Sequence, residues 1–504
     1  MEAAAVPGSR ARVFDSITYT KIALAAAACI LIVRLWMAIS HPSFLGVDVG
    51  AYLLSRNAVL GVGNYGLDFT RPPLSPGWLL VPFTEVWGDQ IGYAIFSAVG
   101  GMAPFLPFWM LARRFLSQGQ ALVALLFIMV DFLLAQMFVT GVLPLIGFAW
   151  LLLLIWGIFE LRTNPGWKPE LAVIVSLPMI AYSSMTAAGI TAFILPATLV
   201  LLRVFGKWRL PVRSYLVPLS IGLVLAATAL PYYVGTAPMG AETRWGGDLL
   251  AFEYVQAILA WILLLSPWLA IAIFAKSSPA EVRVLAVICA AAMLLAVLKS
   301  ADETLMNLLY RPRYLAPFFY WPLIVWVACR YWPRELPGSR VMGGMLAVGF
   351  LALFTLMGYS QFHTMSRFSD QTNLNVEKAL ALIPEDAPVI TNSASLTQLI
   401  AGRRPTMTRG YWLQAMEPPP KYTEEDKLVR CIVGWVPGCD QQAALKATGA
   451  RYVLTESQLD LQLGRGAWWG MDSVDRGMAL IDESPVLRRV GQWGKTVKLW
   501  EVVG

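Results

Sequence analysis

Residues Gly46–Trp78 read GVDVGAYLLSRNAVLGVGNYGLDFTRPPLSPGW, a polar interruption close to the start of a chain that is otherwise strongly apolar. Two hydrophobic segments flank it, and between them stand Asp48, Tyr52, Arg56, Asp68 and Arg71. Charges held this close to a bilayer are retained against a desolvation cost, so an acid, a phenol and two guanidiniums gathered there mark a candidate functional site. A solvated loop with incidental charges would have the same composition, and the choice between the two readings turns on what surrounds the stretch.

What surrounds it is membrane. The 504 residues are 57% hydrophobic and only 14% charged, with 20 Trp and a mean hydropathy of +0.59, which excludes an ordinary soluble protein. The formal charge of +7 does not point to nucleic acid, because the basic residues fall in short clusters between apolar runs. The run Ile22–Ser40 is long enough to span and reads as a retained first helix, not a cleaved signal. Further spans are expected near 90–112, 119–139, 141–160, 170–187, 188–205, 214–234, 251–275, 282–299, 314–330 and 341–360, about eleven in all. The pair that meets around Ser183 is the hardest to divide.

Lys and Arg set the orientation. Arg10 and Arg12, Arg113 and Arg114, Arg162 and Lys168, Lys207, Arg209 and Arg213, Lys276 and Arg283, and Arg330, Arg334 and Arg340 occupy alternate loops, which are therefore expected to be cytoplasmic. The loops 41–89, 235–250 and 300–313, and everything beyond 360, then lie outside. In the first external loop, Tyr52, Leu53, Arg56 and Leu60 recur at helical spacing, and Pro76–Trp87 is apolar and aromatic, suited to lie at the interface. Gly61, Gly63 and Gly66 permit turns between the two, and Pro72 and Pro73 hold Arg71 in extended backbone.

From about residue 361 the pattern becomes polar α/β. The segments 375–383, 394–402 and 440–450 read as helices, and 388–392, 451–455 and 496–503 as strands. Two domains follow: 1–360 in the membrane and 361–504 as an extracytoplasmic α/β unit large enough for its own core. The second has no phosphate-binding glycine loop, metal-spaced His and Cys set or nucleophile elbow. Cys431 and Cys439 are its two cysteines, either a disulfide or two free thiols, whereas Cys29, Cys289 and Cys329 fall in helices.

Asp48, Tyr52 and Arg56 on one expected helix, followed by Arg71-Pro72-Pro73-Leu74 before an interfacial helix, resemble the first external loop of GT-C membrane glycosyltransferases. The branch most similar contains the protein O-mannosyltransferases and the lipid A aminoarabinose transferase. Arg311-Pro312-Arg313-Tyr314-Leu315-Ala316-Pro317 is similar to that family's approach to a late helix, and the α/β tail with Leu399-Ile400-Ala401-Gly402-Arg403 is similar to bacterial members. The resemblance implies a mainly α polytopic GT-C-type fold with a C-terminal extracytoplasmic α/β domain. It also implies an enzyme that moves a hexosyl or pentosyl group from a polyprenyl-phosphate donor to a protein, lipid or glycan acceptor at the outer face.

On that reading Asp48 matches the family's catalytic acid and serves as base, taking the acceptor hydroxyl's proton during an inverting displacement; the same Asp is placed to cap the helix that follows. Arg71, Arg311 and Arg313 would grip the donor phosphate, where a guanidinium offers two parallel hydrogen bonds; each also suits lipid headgroups. Tyr52 and Arg56 would position substrate. Glu242, Arg244 and Asp248 in one external loop and Asp302 and Glu303 in another line the acceptor site or are solvated loop charges.

This chain departs from relatives in carrying Val49 where many have a second acid, and in lacking an acid within Gln136–Pro144 at the third helix's outer end. Those two positions bear on whether a divalent metal takes part. His41 and His363, the only histidines, do not form a metal-site pattern. Arg34 and Asp131 lie within expected spans at similar depth and read as a structural pair before a proton relay. A transporter or flippase of lipid-linked glycans is the rival reading, but paired halves with broken helices and midplane charges are not visible. A non-catalytic GT-C-like binding protein is the third.

Overall fold

The computed structural model describes residues 16–40, 56, 59–60, 76–129, 142–183, 185–206, 212–232, 269–274, 278–297, 352, 374–384, 387–391, 428, 431–432, 439–456, 481–494 and 497–503. The chain is a mainly helical membrane protein. Its helices are α1 (Ser16–Ser40), α2 (Pro76–Gly100), α3 (Phe105–Phe115), α4 (Gln118–Met129), α5 (Val142–Thr163), α6 (Trp167–Ser183), α7 (Met185–Gly206), α8 (Val212–Ala227) and α9 (Ala280–Val297). Among the described residues four helical segments are long and apolar enough to cross a bilayer: Thr18–Met37, Ile91–Phe115, Ile146–Thr163 and Ala187–Gly206. The second joins the end of α2 to α3 through a hydrogen-bonded turn at Gly101–Pro104. The division near Ser183 is sharp, since α6 ends there and α7 begins at Met185. The expected span at 314–330, all of 341–360 except residue 352, and most of 251–275 lie outside the described residues.

One core, including Ile30, Leu80, Phe108, Leu125, Phe148, Phe159, Val173 and Leu202, runs through the bundle. Within it α6 packs on both α5 and α8, α3 on α5, α1 on α2 and α4, and α7 on α9. Large apolar side chains such as Phe193, Val200, Leu216 and Val224 stay exposed, as expected of faces that meet lipid.

Arg34 is buried at 2% exposure. Its Nη1 lies 3.7 Å from Met102 Sδ, and its guanidinium carbon lies 5.6 Å from the centre of the Phe105 ring, where the ring's negative face attracts the cation. Asp131, its expected partner, lies outside the described residues.

Two sets of polar contacts tie the helix ends together. At one end Arg114 on α3 donates to Glu160 on α5, to Thr163 Oγ1 at 3.0 Å and to Glu281 on α9 at 3.4 Å. Arg162 on α5 meets the same Glu281 at 2.8 Å and donates to the Gly206 carbonyl that ends α7, at 3.4 Å. The Tyr215 hydroxyl near the start of α8 donates to the Ile158 carbonyl at 3.1 Å. At the other end, Tyr182 on α6 bonds Thr228, just past α8. The ends of α3, α5 and α7 and the start of α9 thus share one end of the bundle.

The C-terminal part holds α10 (Leu374–Ala381), β1 (Val389–Thr391), α11 (Gln441–Thr448), β2 (Tyr452–Glu456), β3 (Leu487–Trp493) and β4 (Val497–Val502). The sheet order is β1-β2-β4-β3; β1 and β2 are parallel and the other pairs antiparallel. Both faces are covered. Alternation sends Val389, Leu454 and Leu499 towards Ala379, Leu380 and Ile383 of α10 and its continuation, and Ile390, Val453 and Trp500 towards Ala444 and Leu445 of α11. The Asp440 side chain accepts a bond from the Ala443 amide at 3.0 Å and so starts α11, and Gly449 ends it. Cys431 and Cys439 form a disulfide, which settles the alternative between bridge and free thiols. Strand β3 is an addition to the sequence reading, and the expected helix at 394–402 lies outside the described residues.

Candidate functional site

The described part of the first-loop region is built around a sharp turn in α2. Gly88 breaks the helix with φ 75° and ψ 171°, a conformation that side chains with a Cβ rarely adopt. The half before it exposes Trp78, Val86 and Trp87 while burying Leu80 and Thr84, so it has one wet or lipid-facing side and one packed side. Thr84 Oγ1 donates to the Leu80 carbonyl at 3.1 Å, which satisfies a buried hydroxyl. The two halves fold onto each other: the Phe83 and Phe96 rings meet edge to face at 5.5 Å. The approach is so close at Gly92 that a Cβ there would sit 2.5 Å from the Phe83 carbonyl oxygen.

Two carboxylates, Glu85 and Asp89, bracket the turn, and Arg56 reaches both. Its Nη2 lies 2.7 Å from Asp89 Oδ1 and its Nη1 3.6 Å from Glu85 Oε1. The Arg56 side chain is 8% exposed, against 33% for Asp89 and 57% for Glu85. The short contact to the half-buried Asp89 therefore dominates, and the longer one to an exposed Glu85 adds little by itself. Arg56 Nε is buried with no hydrogen-bond acceptor among the described residues. Residues 56, 59 and 60 are helical, as the first-loop spacing predicts.

Of the residues assigned to the site from the sequence, Arg56 is the one whose surroundings are described. Asp48, Tyr52, Arg71, Glu242, Arg244, Asp248, Asp302, Glu303, Arg311 and Arg313 lie outside the described residues. Glu85 and Asp89 escaped the sequence reading. Their signal was present, since they are the two charged residues in the 25 residues of Pro76–Gly100 and stand four apart around a glycine. Among the described residues no group of three or more His, Cys, Asp or Glu is gathered as a metal site would need.

A kinked helix, an apolar bundle and a two-faced α/β sheet make up the described structure. The chain's fold is similar to those of solved GT-C membrane glycosyltransferases. No protein-family model matches it, and no curated protein does. Among solved structures it is similar to ArnT from Cupriavidus metallidurans bound to undecaprenyl phosphate, with a TM-score of 0.57 and 14% identity over 97% of this chain and 100% of that one. It is also similar to the arabinofuranosyltransferase AftD from Mycobacteria, at 0.51 and 15% over 96% of this chain and 40% of that one. The Archaeoglobus fulgidus oligosaccharyltransferase matches at 0.51 and 12%, over 95% of this chain and 75% of that one.

Proposed function

We propose that this protein is a membrane glycosyltransferase that moves a sugar from a polyprenyl-phosphate donor to an acceptor at the outer membrane face. The observation that carries the reading is the fold likeness to ArnT, a structure bound to undecaprenyl phosphate, over 97% of this chain and 100% of that one. An enzyme of this kind needs a base near the interface and cations for the carrier phosphate. Asp48 is the base: its carboxylate accepts the proton of the acceptor hydroxyl as the oxygen attacks the anomeric carbon, the bond to the lipid phosphate breaks, and configuration inverts. Arg71, Arg311 and Arg313 neutralise the departing phosphate by paired hydrogen bonds. Tyr52 lies one helical turn from Asp48 in sequence and orients the acid or the acceptor. Glu242, Arg244, Asp302 and Glu303 face the acceptor.

The N-terminus is cytoplasmic and the C-terminal sheet external. The basic loops support that orientation, as does the Cys431–Cys439 disulfide, a bond that persists in oxidising compartments.

The test is sugar release from a panel of radiolabelled polyprenyl-phosphate sugars by purified protein in lipid, wild type against Asp48→Asn. Turnover lost in the variant with donor binding kept supports the base and identifies the sugar. Equal turnover in both removes Asp48 from the mechanism.

A further inference from the structure

The Arg56 guanidinium is committed to protein carboxylates on both of its terminal nitrogens, and those carboxylates sit on opposite sides of the Gly88 turn. We infer that Arg56 is a positioning residue, acting with Asp89 and Glu85 as a clamp that fixes the first external loop against the kinked interfacial helix. The inference rests on the proposed transfer reaction and changes the part Arg56 plays in it, from touching substrate to holding the loop that carries the base.

Three observations point the same way. Arg56 is buried against α2 while both of its acids are partly open to solvent, so the buried cation has its charge partners on α2. Gly88 joins the two halves of α2 through a residue in a non-helical conformation, with the wide backbone freedom of glycine. A cation held 2.7 Å from Asp89 just past the turn, with Glu85 3.6 Å away just before it, restrains the turn chiefly through Asp89, because opening the turn draws the two carboxylates apart. In the sequence Asp48, Tyr52 and Arg56 recur at every fourth position, so a helix through them sets all three on one face. On such a helix, fixing Arg56 would also fix the height and rotation of Asp48 two turns away.

The consequence is quantitative. Misplacing a catalytic group by about 1 Å costs on the order of a hundredfold in rate, while a phosphate held by other residues still binds. A clamp residue therefore lowers kcat and leaves carrier affinity in place, whereas a phosphate ligand lowers affinity.

The experiment uses the full-length protein in lipid nanodiscs with Arg56→Gln, Asp89→Asn and the two combined. Asp89→Asn changes one atom at a half-buried position, so it carries the test if Arg56→Gln does not fold. Hydrogen exchange is measured over residues 84–92, affinity with undecaprenyl phosphate as probe, and kcat on whichever donor of the polyprenyl-phosphate panel the wild type turns over. The expected result is faster exchange in each single variant, with the double no faster than Arg56→Gln, because Arg56→Gln already removes the contact that Asp89→Asn removes. Undecaprenyl-phosphate affinity should hold within about twofold while kcat falls between about tenfold and a hundredfold.

The inference is overturned if Asp89→Asn exchanges like wild type, if the two effects add, or if Arg56→Gln alone weakens undecaprenyl-phosphate binding by tenfold or more, which would make Arg56 a phosphate ligand. If the wild type turns over no donor, the glycosyltransferase reading fails, and non-additive exchange alone then decides whether the clamp exists.

Discussion

Replacing Glu281 with Ala tests whether the ion cluster at the helix ends holds the bundle together. Glu281 is 7% exposed and accepts from Arg162 at 2.8 Å and Arg114 at 3.4 Å. One is a good charge-assisted bond and the other a long one; at about 1.5–3 kcal/mol for the first and less for the second, the loss is about 3 kcal/mol. Breaking a buried pair from one side gives a similar figure of about 3–5 kcal/mol. The lower end applies because the Arg162 side chain is 20% exposed and can turn towards water, and Arg114 keeps Glu160 and Thr163. Unfolding entropy scales with chain length, so about 3 kcal/mol lowers the midpoint of a cooperative melt of a chain this long by about 3 °C.

The assay is thermal unfolding of purified protein in detergent, comparing Glu281→Ala, Arg162→Ala and the double variant. If the cost of Glu281→Ala comes from leaving a cation buried without its acid, the double variant melts at or above the single. A Glu281→Ala protein that melts with the wild type, or a double variant that loses the sum of both singles, would refute the reasoning.

The α2 turn makes two contrasting predictions. Gly92→Ala puts a methyl 2.5 Å from the Phe83 backbone oxygen and forces the two halves apart, so it should destabilise by about 1–3 kcal/mol or more, read as a lower melting temperature and lost turnover. Gly88→Ala meets no atom within 4 Å, so its cost is the backbone strain of φ 75° alone, about 1–3 kcal/mol, and a melt near the wild type would show that the turn relaxes. In the C-terminal domain an impermeant maleimide applied to intact cells should label Cys431 and Cys439 only after reduction. Labelling that needs a permeabilised membrane would reverse the orientation and remove the site from the outer face.

Much of the fold is legible from local pattern. Apolar runs of sufficient length announce α1, α5 and α7 because the hydrocarbon thickness sets the length of any helix that crosses it. Alternating hydrophobicity announces β2 and β4, whose side chains reach cores on both faces. The expected amphipathic segment at 76–87 is the exposed and aromatic first half of α2. Strand β3 was missed for a reason that its sequence, LRRVGQW, makes plain. It is an edge strand with Arg488 and Arg489 exposed and a register shift between Arg489 and Gly491, so alternation fails where an edge needs no second buried face.

Charge is where local reading ends. Asp48, Tyr52 and Arg56 were grouped because they lie four apart, and spacing along one helix shows which residues share a face but not what that face meets. Arg56 meets acids 29 and 33 positions later in the chain, and Arg114 meets one 167 positions later. Hydropathy keeps Arg114 and Glu281 near the ends of their helices, since burying a charge in lipid is costly and favours the ends. Which end of which helix lies beside it depends on the packing of the whole bundle, and that is why Glu85, Asp89 and Glu281 acquire their partners only in the folded protein.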